Sequence, residues 1–188
     1  MDARTPVIIG VGEASERIGE PGYQGLSPVE LAARAAQAAL DDTRAGVPPA
    51  PHIGVVAAVR QFETSGPNAQ SPFGRSNNFP RSVARRIGAD PRRAILEPVG
   101  GQGPQHLVNE FAKAIAQGEM DLAMICGAEA ISTLRRLLGQ GETRDWSETV
   151  GGDLEDRGYG METLVSPELN AHGVRTAIQH YAIFEKMA

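Results

Sequence analysis

The chain has 188 residues, a net charge of −5 and a single cysteine, Cys126. This length suits one well-buried domain, and the negative charge argues against a general nucleic-acid binder. A lone cysteine excludes an internal disulfide framework and fits a reducing compartment. No apolar run has membrane-spanning length, and the first residues lack the apolar centre of a signal peptide. We therefore expect a cytoplasmic protein that binds neither membranes nor nucleic acid.

Strands and helices alternate along the first part of the chain. The β-branched run at residues 7–11 predicts a buried strand. Ser27, Pro28 and Glu30 form the start signal of a helix that continues through Leu40. Residues 53–59 are apolar throughout, which predicts a strand covered on both faces. A shorter helix is expected over residues 80–87.

The second half of this pattern repeats the alternation. Residues 94–96 predict a strand, residues 104–117 a helix that closes at Gly118, residues 121–126 a strand, and residues 129–138 a helix. Such alternation predicts an α/β fold with a mostly parallel sheet covered by helices. The helix over 104–117 is apolar around much of its circumference, so we expect it to be buried on several sides.

After residue 138 the pattern changes. Residues 139–168 are charged and glycine-rich, which indicates a lid or binding loop. A helical pattern follows within residues 169–188 and runs to the end of the sequence, which we interpret as a truncated chain or an N-terminal half. The expected organisation is therefore an α/β domain over 1–138, a loop over 139–168 and the start of a helix over 169–188.

A glycine-rich turn between a strand and a helix is the strongest candidate site. Gly100, Gly101, Gln102 and Gly103 lie directly before Pro104, which suits the first turn of a helix. Small residues let backbone N–H groups converge there, and the helix dipole adds partial positive charge. The turn suits an anion such as a thioester oxyanion, yet residues 100–105 contain no nucleophilic side chain.

Other candidates compete with simpler interpretations. The glycines at residues 10 and 12 imitate a dinucleotide fingerprint, but no helix follows within the motif. Cys126 suits a small buried hydrophobe better than a nucleophile. His106 is a possible base facing the glycine turn, although a structural histidine at the helix start is the favoured interpretation. His172 and His180 are interpreted as structural, and no histidine spacing predicts a metal site.

Five arginines cluster around the second helix. A solvated helix face is the favoured interpretation, and a CoA phosphate or an acidic partner surface is the alternative. Their positions are Arg81, Arg85, Arg86, Arg92 and Arg93.

Several of these motifs together resemble the N-terminal half of the thiolase superfamily. Residues 6–12, 18–19 and 26–27 are similar to the family's opening strand, loop and first helix. Residues 126–130, Cys-Gly-Ala-Glu-Ala, are similar to its Gly-Gly-Ala-Glu turn. Residues 100–105 lie where members carry Cys-Gly-Ser-Gly-Leu-Gln. The resemblance covers nearly the whole chain and implies half of a layered αβαβα fold.

The resemblance implies a thiolase-like function, but the nucleophilic cysteine of the catalytic members is absent. The nucleophilic cysteine of catalytic thiolases corresponds here to Gly100, which cannot form an acyl-enzyme. The chain therefore resembles the branch without this cysteine, related to lipid-transfer-type thiolases. The implied ligand is a coenzyme A thioester, bound by residues 100–103 with the loop over residues 139–166 touching the pantetheine side. No other cofactor and no metal is expected.

Three functions remain open under this resemblance. The first is acyl-CoA handling by an acyltransferase-like protein. The second is a retro-aldol carbon–carbon lyase acting on a CoA thioester. The third is a non-catalytic CoA-binding or scaffold subunit. The family's other catalytic motifs belong to a C-terminal half, so a missing half or a partner subunit is implied, in a homo- or hetero-oligomer.

Overall fold

The structure is a computed structural model that describes residues 4–160, 166–174 and 177–187. A four-stranded, all-parallel sheet is at its centre, with strand order β3-β1-β2-β4. The strands are β1 (Val55–Val59), β2 (Arg93–Glu97), β3 (Ala123–Cys126) and β4 (Glu155–Asp156). The helices are α1 (Pro28–Asp42), α2 (Phe79–Arg86), α3 (Gly103–Gln117), α4 (Ile131–Gly139), α5 (Pro167–Ala171) and α6 (Ala177–Met187). The predicted α/β class and parallel sheet are confirmed.

Helices cover both faces of the sheet. Successive side chains of β1 point to opposite faces, so they pack against different helices. Val56 and Ala58 pack into one apolar cluster with α1 and α2. Val55 and Ala57 pack into a second cluster with α3. Burial on both faces explains why β1 is apolar at every position.

Helix α1 begins where the sequence predicts. The Ser27 hydroxyl accepts a hydrogen bond from the Glu30 N–H at 3.2 Å, and the Glu30 carboxylate accepts one from the Ser27 N–H at 2.9 Å. This reciprocal pair satisfies two backbone donors that a helix start leaves without partners. Pro28 follows at the first helical position.

The predicted strand at residues 7–11 is wrong. This segment has no strand in the structure, and Ile8 is 76% exposed. A Cβ built on Gly10 would lie 2.1 Å from the Ala39 carbonyl oxygen, and one on Gly12 would lie 2.2 Å from that of Ala35. The two glycines therefore allow the segment to lie directly against the backbone of α1. This close approach explains the glycine pair without a dinucleotide.

Strand β4 was not predicted from the sequence. It consists of Glu155 and Asp156, which pair in register with Ile95 and Leu96 of β2. The strand lies inside the predicted loop at residues 139–168, and it has no apolar alternation because both of its residues are exposed.

The predicted burial of α3 on several sides is also wrong in the part of the chain that the structure describes. Leu107, Phe111 and Ala114 face the sheet and are buried, whereas Val108 is exposed. The helix therefore buries one face only. Gly118 ends it in the left-handed conformation, as its position predicts.

Candidate functional site

The glycine turn joins the end of β2 to the start of α3. Gly100 has a φ of +146°, a backbone conformation that residues with a side chain rarely adopt. A Cβ built there would lie 2.5 Å from Oε1 of Gln102 and 2.7 Å from its Nε2. The Gln102 amide thus occupies the space that a side chain at position 100 would need.

Position 103 limits the size of its side chain for a different reason. It is buried, and a Cβ at this position would lie 3.4 Å from the Pro98 carbonyl oxygen and 3.5 Å from Glu97 Cγ. Its N–H donates a hydrogen bond to the Gly100 carbonyl at 3.1 Å, which closes the turn. A Cβ would just fit there, but a branched side chain would meet the turn backbone and Glu97. The four predicted residues, Gly100 to Gly103, therefore form one compact turn, and their role in ligand binding stays a prediction.

His106 is paired with Glu97 across the turn. The distance from His106 Nδ1 to Glu97 Oε1 is 2.5 Å. The Glu97 side chain is only 7% exposed, whereas that of His106 is 57% exposed. The expected partial burial of His106 is therefore wrong, because its imidazole is exposed and bound to a buried carboxylate. Whether its role is structural or that of a base stays a prediction.

Arg157 binds the same carboxylate from the other side. Its Nη1 donates to Glu97 Oε2 at 3.0 Å, and its two Nη atoms bind both oxygens of Glu110 at 2.6 and 2.8 Å. Arg157 also donates to Glu155 of β4 at 2.7 Å. One guanidinium therefore connects β2, α3 and β4.

This network lowers the pKa values of Glu110 and Glu155. The hydrogen bond from Arg157 lowers the pKa of Glu110, and the hydrogen bond from Arg93 lowers the pKa of Glu155. In return, the hydrogen bond to Glu110 raises the pKa of Arg157. Charge-assisted, bidentate pairing of this kind fixes geometry as well as charge.

The segment after β4 packs onto the glycine turn. The Val99 N–H donates to the Tyr159 carbonyl at 3.2 Å, and a Cβ on Gly160 would lie 2.7 Å from Pro98 Cβ. Arg60, which is buried at the end of β1, holds this segment by donating to the Gly158 carbonyl at 2.9 Å. Its guanidinium also pairs with Asp156 and stacks on the Tyr159 ring. Part of the predicted loop is thus fixed beside the turn.

Cys126 does not have the environment of a reactive thiol. It is partly buried at the end of β3, and burial raises the pKa of its thiol from 9.0 to about 12. Because the thiolate is the reactive form, this residue is a poor nucleophile near neutral pH.

Two carboxylates beyond the ends of β1 and β3 have raised pKa values. Burial, followed by repulsion from Glu129, raises the pKa of Glu63. Burial also raises the pKa of Glu129, whose Oε1 accepts a hydrogen bond from the Phe62 N–H at 2.8 Å. Glu63 Oε1 is buried and has no hydrogen-bond partner among the described residues.

An apolar groove of about 860 Å³ runs along the outer edge of β3, between α1 and α3. The exposed segment at residues 7–11 forms one wall. Pro104 and Gly127 lie at the end nearest the glycine turn, but Gly100 and His106 are not part of the lining.

Most of the arginine cluster around α2 binds elements of the chain itself. Arg81 donates to the carbonyls of Asp153 and Pro91, and Arg86 pairs with Glu148. Arg93 pairs with Glu155 at 2.7 Å. These contacts attach residues 148–155 to α2 and β2, so this part of the cluster has a structural role that the sequence did not predict.

Two classes of site are absent from the described part of the chain. No group of three or more His, Cys, Asp or Glu side chains within residues 4–160, 166–174 and 177–187 is placed to hold a metal ion. No helix within those ranges is both long and apolar enough to cross a membrane.

Comparison with known proteins identifies the family. No protein-family model and no curated protein matches the chain. Among solved structures, the chain is similar to a monomeric SCP2-thiolase-like protein type 1 from Mycobacterium smegmatis, with 47% identity and a TM-score of 0.52. The match covers 66% of this chain and 23% of that protein, so the chain spans about a quarter of its relative's length. The similarity agrees with the parallel α/β fold, and we conclude that the chain belongs to the thiolase-like superfamily.

Proposed function

We propose that this protein binds the acyl group of a coenzyme A thioester at the glycine turn and acts on it without a covalent acyl-enzyme. The observation that carries the proposal is the conformation of Gly100, whose φ of +146° disfavours any side chain. In this proposal Gly100 occupies the position of the family's nucleophilic cysteine, and the start of α3 stabilises the thioester oxygen by its dipole.

The rest of the turn supports this function. Gly101 and Gln102 are exposed, and a Cβ on Gly101 would meet nothing within 4 Å. A ligand can therefore approach the backbone closely at this point, as an oxyanion site requires. The segment at residues 156–160 lies beside the turn and is the part of the predicted loop that would contact the pantetheine side.

Two reactions fit such a site. The first is acyl transfer of the acetyl-CoA acetyltransferase kind, in which the acyl group passes from the sulfur of coenzyme A directly to the acceptor and coenzyme A leaves as the thiol. The second is retro-aldol cleavage of a carbon–carbon bond in a CoA thioester, which needs a base and no acyl-enzyme. The second is favoured by the pairing of His106 with Glu97, because an imidazole held by a carboxylate is a common general base.

We also propose that a C-terminal thiolase half or a partner subunit covers part of the surface. Val7, Ile8, Val11 and Val108 are exposed, and clusters of exposed apolar side chains mark interaction sites. We expect the isolated chain to self-associate and bind a hydrophobic dye. A clean monomer by light scattering that does not bind the dye would contradict this part of the proposal.

The test of the site is calorimetric titration with acetyl-CoA. Gly103→Val places a branched side chain against Glu97 and the turn, so we expect at least tenfold weaker binding. Gly46→Val is the matched control, because Gly46 lies in a distant loop and a Cβ there would meet nothing within 4 Å. Thermal unfolding of both variants separates lost binding from lost structure. Unchanged affinity in a folded Gly103→Val protein would show that the turn is not the ligand site, and a non-catalytic scaffold role would then be favoured.

A further inference from the structure

We propose that His106 is a proton acceptor for a substrate bound at the glycine turn, and that Glu97 is its positioning residue. This inference rests on the proposed binding of an acyl-CoA thioester at that turn. It adds a specific reacting atom, Nε2 of His106, and a specific reaction, removal of a proton from the α-carbon of the acyl group.

The hydrogen bond between His106 and Glu97 determines which imidazole nitrogen is available. Nδ1 lies 2.5 Å from Glu97 Oε1, so the Nδ1–H tautomer donates to the carboxylate. A neutral imidazole has one donor and one acceptor nitrogen. Nε2 therefore retains its lone pair and remains the basic nitrogen, as in histidines oriented by a carboxylate in other enzymes.

A proton acceptor must be accessible to substrate, whereas the residue that positions it can be buried, and the two side chains differ in this way. Glu97 is buried at the end of β2 and is held by Arg157 as well as by His106. The His106 side chain is 57% exposed and open to a ligand. Arg157 also binds Glu110, one helical turn beyond His106 on α3. The carboxylate and the helix that carries the imidazole are thus fixed relative to each other.

The pair flanks the glycine turn in sequence. Glu97 is the last residue of β2, before Pro98 and Val99, and His106 lies in the first turn of α3. Glu97 Cγ is 3.5 Å from the position that a Cβ on Gly103 would occupy. The Glu97 side chain therefore packs against the start of α3, at the turn where the thioester is proposed to bind.

The chemistry balances with groups that the chain itself carries. His106 Nε2 takes a proton from the α-carbon, and the electron pair of that C–H bond moves toward the thioester carbonyl to give an enolate. Negative charge on the enolate oxygen is stabilised by the helix start, and Glu97 stabilises the imidazolium. The imidazolium proton exchanges with D2O because the His106 side chain is exposed. Return of a deuteron from Nε2 to the α-carbon restores the thioester, so the net result in D2O is exchange of α-hydrogen for deuterium.

Proton NMR of acetyl-CoA in D2O measures this exchange directly as loss of the methyl signal. We expect exchange above the buffer rate with the unaltered protein, and a decrease of about 10²-fold or more in His106→Asn, which is the usual contribution of a general base. The matched control is His52→Asn, because His52 is an exposed histidine outside the site. This control is expected to leave the exchange rate unchanged. Calorimetry with acetyl-CoA is measured for each variant in parallel.

The role of Glu97 is tested by readouts that a merely structural role would not change. Nitrogen-15 NMR of the imidazole is expected to show Nδ1 protonated in the unaltered protein, and a mixture of tautomers in Glu97→Gln. Exchange is expected to fall in Glu97→Gln and to be partly restored in Glu97→Asp, with acetyl-CoA affinity unchanged in both. If Glu97→Gln fails to fold, the test is the tautomer of His106 in the unaltered protein. A neutral imidazole protonated at Nε2 instead of Nδ1 would overturn the proposal.

The two proposals fail in different ways. Binding of acetyl-CoA without exchange above the buffer rate would overturn the role of His106 and leave the binding function intact. Absence of binding would overturn both. Exchange that persists in a folded His106→Asn protein would assign the reaction to another group and contradict this inference.

Discussion

Substitution of Gly100 by alanine tests the conformation on which the proposed function depends. With a φ of +146°, Gly100 lies where a residue with a Cβ is strained by about 1–3 kcal/mol. The added methyl group also meets the Gln102 amide, with 2.5 Å from Cβ to Oε1. Because that amide ends a flexible, exposed side chain, it can rotate away at little cost. We therefore expect Gly100→Ala to lower the free energy of unfolding by about 1–3 kcal/mol, mostly through backbone strain.

Urea unfolding measures this loss, since the change in midpoint at constant slope gives the change in stability. Gly101→Ala is the matched control. Gly101 is exposed, does not have a left-handed φ, and a Cβ there would meet nothing within 4 Å. Its effect should stay within about 0.5 kcal/mol. A double variant, Gly100→Ala with Gln102→Ala, removes the collision and should retain most of the loss.

Two results would refute this reasoning. An equal effect of Gly100→Ala and Gly101→Ala would show that position 100 has no special backbone requirement. Full recovery of stability in the double variant would show that the collision with Gln102, rather than backbone strain, excludes a side chain at Gly100. In either case the conformational argument against a nucleophile at this position would fail.

Three further predictions follow from the site. Intact-protein mass spectrometry after incubation with acetyl-CoA should show no acetyl adduct, because residues 100–105 carry no nucleophile; an adduct mapped to the turn would contradict the alignment with the family. Burial raises the pKa of the Cys126 thiol from 9.0 to about 12, so its alkylation by iodoacetamide near neutral pH should be about 10³-fold slower than that of a free thiol. In denaturant the rate should equal that of a free thiol. Rapid alkylation of the folded protein would restore Cys126 as a candidate nucleophile. Because the hydrogen bond from Arg157 lowers the pKa of Glu110 in the folded state, the stabilisation is present above the unfolded pKa and is lost as pH falls through the folded pKa. Thermal unfolding midpoints should therefore fall below about pH 4.5, with a smaller decrease in Arg157→Met; an identical pH dependence in that variant would rule out this pair as the cause.

Local signals in the sequence predict most of the helices. The reciprocal bonds of Ser27 and Glu30 depend only on residues three apart, so the start of α1 can be read from the chain. The same holds for the left-handed end of α3 at Gly118. Strand β1 is predictable because burial on both faces leaves a continuous apolar run.

The two strand errors have a common cause. The β-branched run at residues 7–11 has strand propensity, but propensity does not specify a neighbouring strand, and in the structure the segment lies against α1 instead. Strand β4 has no apolar pattern. Its position is held by ion pairs between Arg93 and Glu155 and between Arg157 and Glu97. These partners are 62 and 60 positions apart, so their pairing leaves no local signal in the sequence.

The candidate site also has a part that the sequence predicts and a part that depends on the tertiary fold. The glycine turn is visible in the sequence because Gly100, Gly103 and Pro104 are adjacent residues with known backbone preferences. The contribution of Glu97 is not visible, since its carboxylate reaches His106 only after α3 folds back over the end of β2. The signal that the sequence offered was an acidic residue at the end of an apolar strand, shortly before a glycine-rich turn. The role of Arg157 depends entirely on the tertiary fold.

Backbone amide NMR during titration with acetyl-CoA tests the central claim most directly. The account predicts that the amide signals of Gly100, Gly101 and Gly103 shift on addition of acetyl-CoA and return when the ligand is dialysed away, which is the result for reversible binding at the turn. Shifts confined to residues 7–12 and β3, along the apolar groove, would place the ligand elsewhere. Shifts that persist after dialysis, or no shifts at all, would contradict non-covalent binding at the glycine turn.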